Sequence, residues 1–393
     1  MSDNQRIIYS CQAVAIDGVL CHGVQSIGIT TNFNLEQVFE LGQLSIYENI
    51  EGIPDVEVTL EKVIDGYPLL YLMATTGVTG SSASGLVARS KQQANLTLGI
   101  FGEEYGNIDV ALDNSGNSEV EVLCSGMYVS SVSYTLGADG NFTESLTLVG
   151  NNKQWLSNPT VGQTPAVTIT DEKASGINGN DSPWSLVAGS GGIQRREDFR
   201  MKYSILPVGI RGVNGSGIGN GLKPVSEGQP VGASGNSVHL QSVSISTDFS
   251  REDILELGRK NPFFRPAGFP IEVTCEIEAV TSSGDFINAF EDGDPALYNT
   301  SASGNNTQEE NIFFALRGGM SFDLGRKNRL QSISYGGGDA TGGNVTCSYS
   351  YSNFNDFDVK QYTHNNKSVM GFATENNPEG TDLTPMFEEQ RPD

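Results

Sequence analysis

Residues 24–42 read VQSIGITTNFNLEQVFELG, and residues 240–258 read LQSVSISTDFSREDILELG. The two stretches align without a gap at an offset of 216, and 9 of the 19 positions are identical. Most other pairs keep their chemistry: Ile27 with Val243, Asn32 with Asp248, Val38 with Ile254. An internal repeat on this scale points to what the chain builds before it points to any single site.

The match extends in both directions. Upstream, YSCQAVAIDGV at 9–19 aligns with YSILPVGIRGV at 203–213, with 6 of 11 positions identical and an offset of 194. The offset grows by 22 between the two blocks, which places an insertion in the second copy at about 214–237, a stretch with seven glycines and no apolar periodicity. That composition reads as a surface loop. Downstream, Gly52 and Pro54 match Gly268 and Pro270, SVSY at 131–134 matches SISY at 332–335, and GNFT at 140–143 matches GNVT at 343–346. The expected organisation is a first domain over 1–155, a Pro/Gly/Ser/Asn-rich linker over 156–196, a second domain over 197–360 and a polar arm over 361–393.

Period-two alternation dominates both copies. Asp55–Leu60, Val129–Leu136, Phe142–Leu148 and Val243–Ile245 all step between apolar and polar residues, the signature of strands with one buried face. Gly137-Ala138-Asp139-Gly140 separates two such runs and predicts a hairpin. The matched apolar phase nominates Ile27, Ile29, Ile245, Val132 and Ile333 for the core. Asn34 and Ser250 are cap-type residues, followed three positions later by Gln37 and Asp253, so a helical turn is expected after each, stopped by Gly42 and Gly258. A second helix is expected over Leu86–Asn95. The fold class is therefore all-β, mainly antiparallel, with two tandem homologous barrels or sandwiches, each carrying a short helix.

Composition narrows the function. With 47 acidic against 23 basic residues the formal charge is −24, which argues against binding nucleic acid by phosphate neutralisation. Residues 1–155 hold 18 acids and 5 bases, so the first copy is the more acidic for its length. The opening MSDNQRIIYS lacks an apolar core, so no secretory signal is expected, and no run of 18 apolar residues predicts a membrane helix. The five cysteines form no CxxC pair and are expected to be reduced and buried.

Nothing in the chain reads as an enzyme or a cofactor site. The three histidines, His22, His239 and His364, sit near no nucleophile motif, and no His/Cys/Asp cluster has metal-ligand spacing. Residues 215–221, GSGIGNG, depart from the dinucleotide-binding pattern. Residues 113–119, DNSGNSE, alternate oxygen ligands but lack the glycine and the bidentate acid of a calcium loop. Phe263-Phe264 beside Arg265 has no basic patch around it, so it reads as an apolar contact and not as a base-stacking platform.

Two strings carry a family likeness: FELGQLSIYENIEGIPDVEVTL at 39–60 and SSVSYTLGADGNFTESLTLVGNNKQW at 130–155. In these the chain resembles the tail tube (major tail) proteins of long-tailed bacteriophages. The resemblance implies a structural virion protein whose domains contribute sheets to a ring, with rings stacking into a conduit through which DNA passes without specific binding. Some members carry two domains and form trimeric, pseudo-sixfold rings, the design a duplicated chain would follow. It further implies self-association, a sheath, baseplate or tail terminator as possible partners, assembly in the host cytoplasm and residence in the tail. A hub or terminator ring built on the same domain is the alternative within that class. A carbohydrate-binding β-sandwich is the alternative outside it, disfavoured by the missing signal and by only two tryptophans, Trp155 and Trp184.

Charge has diverged between the copies at equivalent places. Between 36 and 65 the first copy has eight acids and one base, Lys62. The second copy gains Arg259, Lys260 and Arg265, which align with Gln43, Leu44 and Asn49. The expected subunit and ring interface therefore comprises Ile46, Tyr47, Glu48, Glu51 and Asp55 from the first copy, and Arg259, Lys260, Phe263, Phe264 and Arg265 from the second.

Overall fold

The computed structural model describes residues 7, 9–65, 67–75, 85–101, 116–117, 120–157, 168–169, 193–201, 238–281, 312–316, 320–336 and 344–361. The strands are β1 (Gln12–Ile16), β2 (Val19–Leu20), β3 (Val24–Asn32), β4 (Leu35–Phe39), β5 (Ile46–Glu51), β6 (Asp55–Val63), β7 (Ala94–Ile100), β8 (Gly116–Asn117), β9 (Val120–Gly137) and β10 (Thr143–Gly150). They continue with β11 (Asn152–Ser157), β12 (Thr168–Ile169), β13 (Phe199–Met201), β14 (Val238–Asp248), β15 (Glu272–Thr281), β16 (Phe313–Leu316), β17 (Met320–Asp323), β18 (Arg329–Gly336), β19 (Thr346–Phe354) and β20 (Asp358–Gln361). Two short helices, α1 (Leu70–Ala74) and α2 (Leu86–Arg89), lie between β6 and β7. The fold is all-β, and every named strand pairing is antiparallel.

One sheet organises the molecule. Its main path runs β18-β19-β15-β14-β9-β10-β6-β3. From the β3 end the path runs β3, β6, β10, β9 and then β14, β15, β19, β18; β3 and β14 lie in the aligned stretches 24–42 and 240–258. Both β3 and β14 carry a bulge at a glutamine, Gln25 and Gln241, against their next strand. Both β9 and β18 carry one, at Ser130 and Gln331. A bulge shifts register and sharpens twist, and these four fall at positions that align in the sequence.

The alternation read from sequence decides which face is buried. On β6 every second residue is fully covered, and Val56, Val58 and Leu60 point into the core. The opposite face of the sheet carries hydroxyls and carboxylates: Ser26, Thr30, Glu57, Thr59, Glu61, Ser131, Ser133, Ser244, Ser246, Glu276, Glu278, Ser348 and Ser350. Cross-strand hydrogen bonds tie them together, Ser242 Oγ to Glu278 at 3.1 Å and Ser348 Oγ to Glu276 at 2.6 Å. The buried face meets α1, α2 and the sheet β13-β16-β17-β20, with Tyr134 and Phe322 rings 4.7 Å apart. β9 serves two layers. Its first part pairs with β7 and β11 and its second with β10 and β14; Gly126, at φ +66°, lies where the strand changes partners.

Three expectations need correction. No helical turn follows Asn34 or Ser250. Each residue is left-handed, φ +47° and +42°, and its N–H is accepted by the side-chain oxygen two residues earlier, Asn32 or Asp248. That closes an Asx turn and not a helix cap, and sends the chain outward. In the first copy it enters β4, paired with β5; in the second it makes the bridges Arg251–Ala267 and Ile254–Phe264. Gly42 and Gly258 sit at φ +97° and +88° in the tip turns of these arms, where Gln43 N–H reaches Glu40 O and Arg259 N–H reaches Glu256 O. The predicted helix over Leu86–Asn95 stops at Arg89, since Ala94 already pairs with Met127 in β7. Of the nominated core residues, Val132 and Ile245 are fully buried, but Ile27, Ile29 and Ile333 are only half-buried because their strands lie at the two ends of the sheet.

All five cysteines are free and buried. The 214–237 insertion, the 361–393 arm apart from Gln361, most of the 156–196 linker, His364 and most of the 113–119 loop lie outside the described residues.

Candidate assembly interface

The two halves of the long sheet meet at a single seam, β9 against β14. Ser131 lies opposite Asp248, Val132 opposite Thr247, Ser133 opposite Ser246, Tyr134 opposite Ile245 and Leu136 opposite Val243. Just past β14 the chain crosses over the first half. Phe249 donates its N–H to Ser130 O at 2.8 Å, and its ring is fully buried 6.4 Å from that of Tyr71. Arg251 follows. Its guanidinium lies over the Tyr128 ring at 5.0 Å and donates to Val129 O at 2.8 Å and to Ser90 O at 2.6 Å. Burial pushes this arginine down to about 10, which still leaves it charged at neutral pH.

The arm of the second half then folds back across the seam. Arg265, almost fully buried, binds Asp253 of its own arm through two nitrogens and Asp55 of the first half at 3.2 Å. Burial lowers its pKa, but the hydrogen bonds and charges of Asp253 and Asp55 outweigh that and hold the guanidinium above its ordinary value. Phe264 packs edge-on to Tyr128, ring centroids 6.1 Å apart. Asp55 and Arg265, both expected at a contact between subunits, meet here within one chain and join its two halves.

The remaining predicted interface residues stay outside this clasp. Ile46, Tyr47, Glu48 and Glu51 lie on the exposed β5 of the first arm. Phe263 is exposed, with Arg259 over its ring at 5.7 Å and Glu256 at 3.7 Å from the same guanidinium; Lys260 is exposed beside it. The sequence reading passed over the most exposed apolar side chains of the arms. Phe33, Leu35, Phe39, Leu41, Leu44, Leu255 and Leu257 all face solvent. Phe33 and Phe249 are identical in the aligned stretches, yet one is exposed and the other buried, a difference the sequence does not carry.

Behind the seam lies a buried polar cluster. Glu144 accepts the N–H of Leu70 at 2.6 Å, the N–H of Tyr71 at 3.0 Å and the hydroxyl of Tyr134 at 2.9 Å. Lys62, equally buried, donates to His22 O and to Asp65 at 2.8 Å. These groups satisfy one another and fix α1 beneath β10, an arrangement that serves structure. Among the described residues no group of three or more His, Cys, Asp or Glu side chains could hold a metal ion, and no helix is long and apolar enough to cross a membrane.

No family model and no curated protein matches the chain. Several solved structures share similarity, among them three at low TM-score. The anti-feeding prophage tube terminating cap aligns at 12% identity and TM-score 0.29, over 40% of this chain and 95% of its own. A chain of the sheath-tube complex of an extracellular contractile injection system, in its extended state, aligns at 11% identity and TM-score 0.29, over 39% and 94%. A chain of the anti-feeding prophage baseplate aligns at 13% identity and TM-score 0.26, over 37% and 91%.

Proposed function

We propose that the protein is a non-enzymatic structural component of a phage-type tail, and that three copies close a ring in which each chain supplies two tandem tube-type domains, 1–155 and 197–360. One observation carries this reading. The long sheet begins at β3 and ends at β18, and these end strands are the sequence counterparts of β14 and β9, which pair with each other at the seam. A sheet whose two ends match an existing joint continues from copy to copy, head to tail. Closing it removes both open edges, which otherwise invite uncontrolled pairing.

The face chemistry supports the same reading. Across the described strands of the long path the exposed face carries mainly serine, threonine and glutamate, with Arg329 of β18 as a cation at one edge. Turned toward a lumen, such a wall offers few cations to neutralise phosphates and release the counterions of DNA, so DNA slides without being held. The exposed leucines of the two arms, Leu41, Leu44 and Leu257, supply apolar contacts for a ring above or below. In this reading the chain is assembled in the host cytoplasm, resides in the tail and meets a sheath, baseplate or terminator at the ends.

The test is direct. Purified protein, concentrated and viewed by negative-stain electron microscopy alongside native mass measurement, is expected to show hollow rings with the mass of three chains, stacking into tubes. A species that stays monomeric at every concentration overturns the proposal. Copy number in particles separates a tube, with many tens of chains, from an end ring, with few.

A further inference from the structure

We infer that β18 of one copy pairs with β3 of the next in the register already present at the inner seam, with Ile29 opposite the next copy's Tyr335, Thr30 opposite its Ser334 and Thr31 opposite its Ile333. The inference rests on the ring reading and adds to it the partner strand, the register and an anchoring side chain. The inner seam is the template: Ile245 opposes Tyr134, Ser246 opposes Ser133 and Thr247 opposes Val132. Ile29, Thr30 and Thr31 occupy the places of Ile245, Ser246 and Thr247, and Tyr335, Ser334 and Ile333 those of Tyr134, Ser133 and Val132.

Two features fix the phase. The bulges at Gln25 and Gln331 stand where those at Gln241 and Ser130 stand, so both edges present their side chains to the same faces as the seam strands do. A slip of one residue would turn every apolar side chain to the polar face. The second feature is exposure. Tyr134 is 0% exposed and its counterpart Tyr335 is 53%; Phe249 is 0% exposed and its counterpart Phe33 is 62%. The edges thus present the side chains that are buried at the inner seam. In the outer seam Phe33 is the anchor, its N–H directed at the next copy's Gln331 O as Phe249 N–H is directed at Ser130 O.

One of the differences between the two seams moves a cation. Inside, Arg251 from the loop covers Tyr128 of the strand. At the corresponding outer positions the loop carries Leu35 and the strand carries Arg329. The cation has moved from loop to strand, and an arginine on both sides would have placed like charges in contact. That exchange fits an outer seam adjusted as a contact in its own right.

Paired cysteines test the register. Directly opposed residues of an antiparallel pair lie within disulfide reach, whereas residues two places off lie beyond it. Thr30→Cys with Ser334→Cys should yield covalent trimers on oxidation, resolved by non-reducing electrophoresis. Thr30→Cys with Ser332→Cys should lose them. The native cysteines are buried and leave a low background. Linkage in the shifted pair but not the matched pair overturns the register. Rings visible with no linkage from either pair overturn the meeting of these edges while leaving the ring reading standing. Absence of rings in the unaltered protein overturns both. A Phe33→Ala chain that keeps its circular dichroism spectrum should lose ring formation; rings at the unaltered yield overturn the anchor.

Discussion

Arg265 and Asp55 lie 210 residues apart in the chain and 3.2 Å apart in the fold. With Asp253 they form a three-membered ionic clasp over the joint between the halves of the long sheet. The guanidinium is buried, while both carboxylates keep partial access to water. Removing the cation therefore leaves two carboxylates that can rehydrate, not a stranded buried charge.

The first prediction follows from that asymmetry. Arg265→Met should lower stability by about 1–3 kcal/mol, the range for losing hydrogen bonds to a charged partner. The midpoint of urea unfolding of the unassembled chain measures it. Asp55→Asn, which leaves Asp253 in place, should cost less than half as much. Equal costs would show that Asp55 carries the clasp.

Glu144 gives a prediction in pH. Burial raises its pKa above the ordinary 4.5, and the donors from Tyr71, Leu70 and Tyr134 recover only part of that shift. The sign follows: above pH 4.5 the unfolded carboxyl has lost a proton that the folded one still holds. The Glu144 contribution to stability is therefore greatest at or below that pH and falls as pH rises through the folded pKa. Glu144→Gln keeps the shape and removes the titration. The stability of the parent chain relative to Glu144→Gln should fall as pH rises above 4.5, read from urea midpoints at a series of pH values. A constant difference would mean that Glu144 titrates at its ordinary value.

Much of this architecture was legible in the sequence, for a physical reason. A strand with one buried face must alternate, so Val56, Val58, Leu60, Leu146 and Leu148 announced both their strands and their orientation. Position along the sheet was not legible. Ile29 and Ile245 hold aligned positions of the two stretches and the same phase, yet one lies on an end strand and the other at the central joint. Local pattern carries no information about strand order. The arms were misread because Asn34 and Ser250 are as well suited to Asx turns as to helix caps, and the acceptor two residues upstream decides between them. Arg265 was placed at an interface from charge divergence alone, while Arg251, which donates to Arg265 O, carries the same divergence against Leu35 and was passed over.

The pair Ile29 and Ile245 also sets a prediction. Ile245→Ala should cost about 2–5 kcal/mol in the unassembled chain, as expected for a filled core site. Ile29→Ala, on the half-buried end strand, should cost about 1 kcal/mol there. The difference should reverse on assembly, with Ile29→Ala raising the concentration at which rings form. Chemical unfolding of dilute protein, paired with sedimentation of concentrated protein, separates the two effects. Equal costs in the dilute chain would mean that β3 is already covered.

The last prediction concerns the arms. Arg259 and Lys260 sit at the exposed tip of the second arm, and Glu48 and Glu51 on the exposed strand of the first. Arg259 already touches Glu256 and Phe263, but its side chain is 51% exposed and can reach another subunit. Reversing Arg259 and Lys260 to Glu leaves every contact of the Arg265 clasp intact, so each chain should fold with an unchanged unfolding midpoint, within about 0.5 kcal/mol. An exposed pair contributes only about 0.2–1 kcal/mol, but a ring repeats it around the circle, and stacked rings repeat it again. Polymerisation followed by light scattering at low salt should therefore slow strongly in the reversed chain. Added salt should narrow the gap by screening the repulsion. Glu48→Lys with Glu51→Lys in the same chain should restore the rate, because the two arms then carry opposite signs again. Unchanged polymerisation of the reversed chain at low salt would leave association to the arm leucines alone, and replacing Leu41 and Leu44 with serine would then be the change that abolishes it.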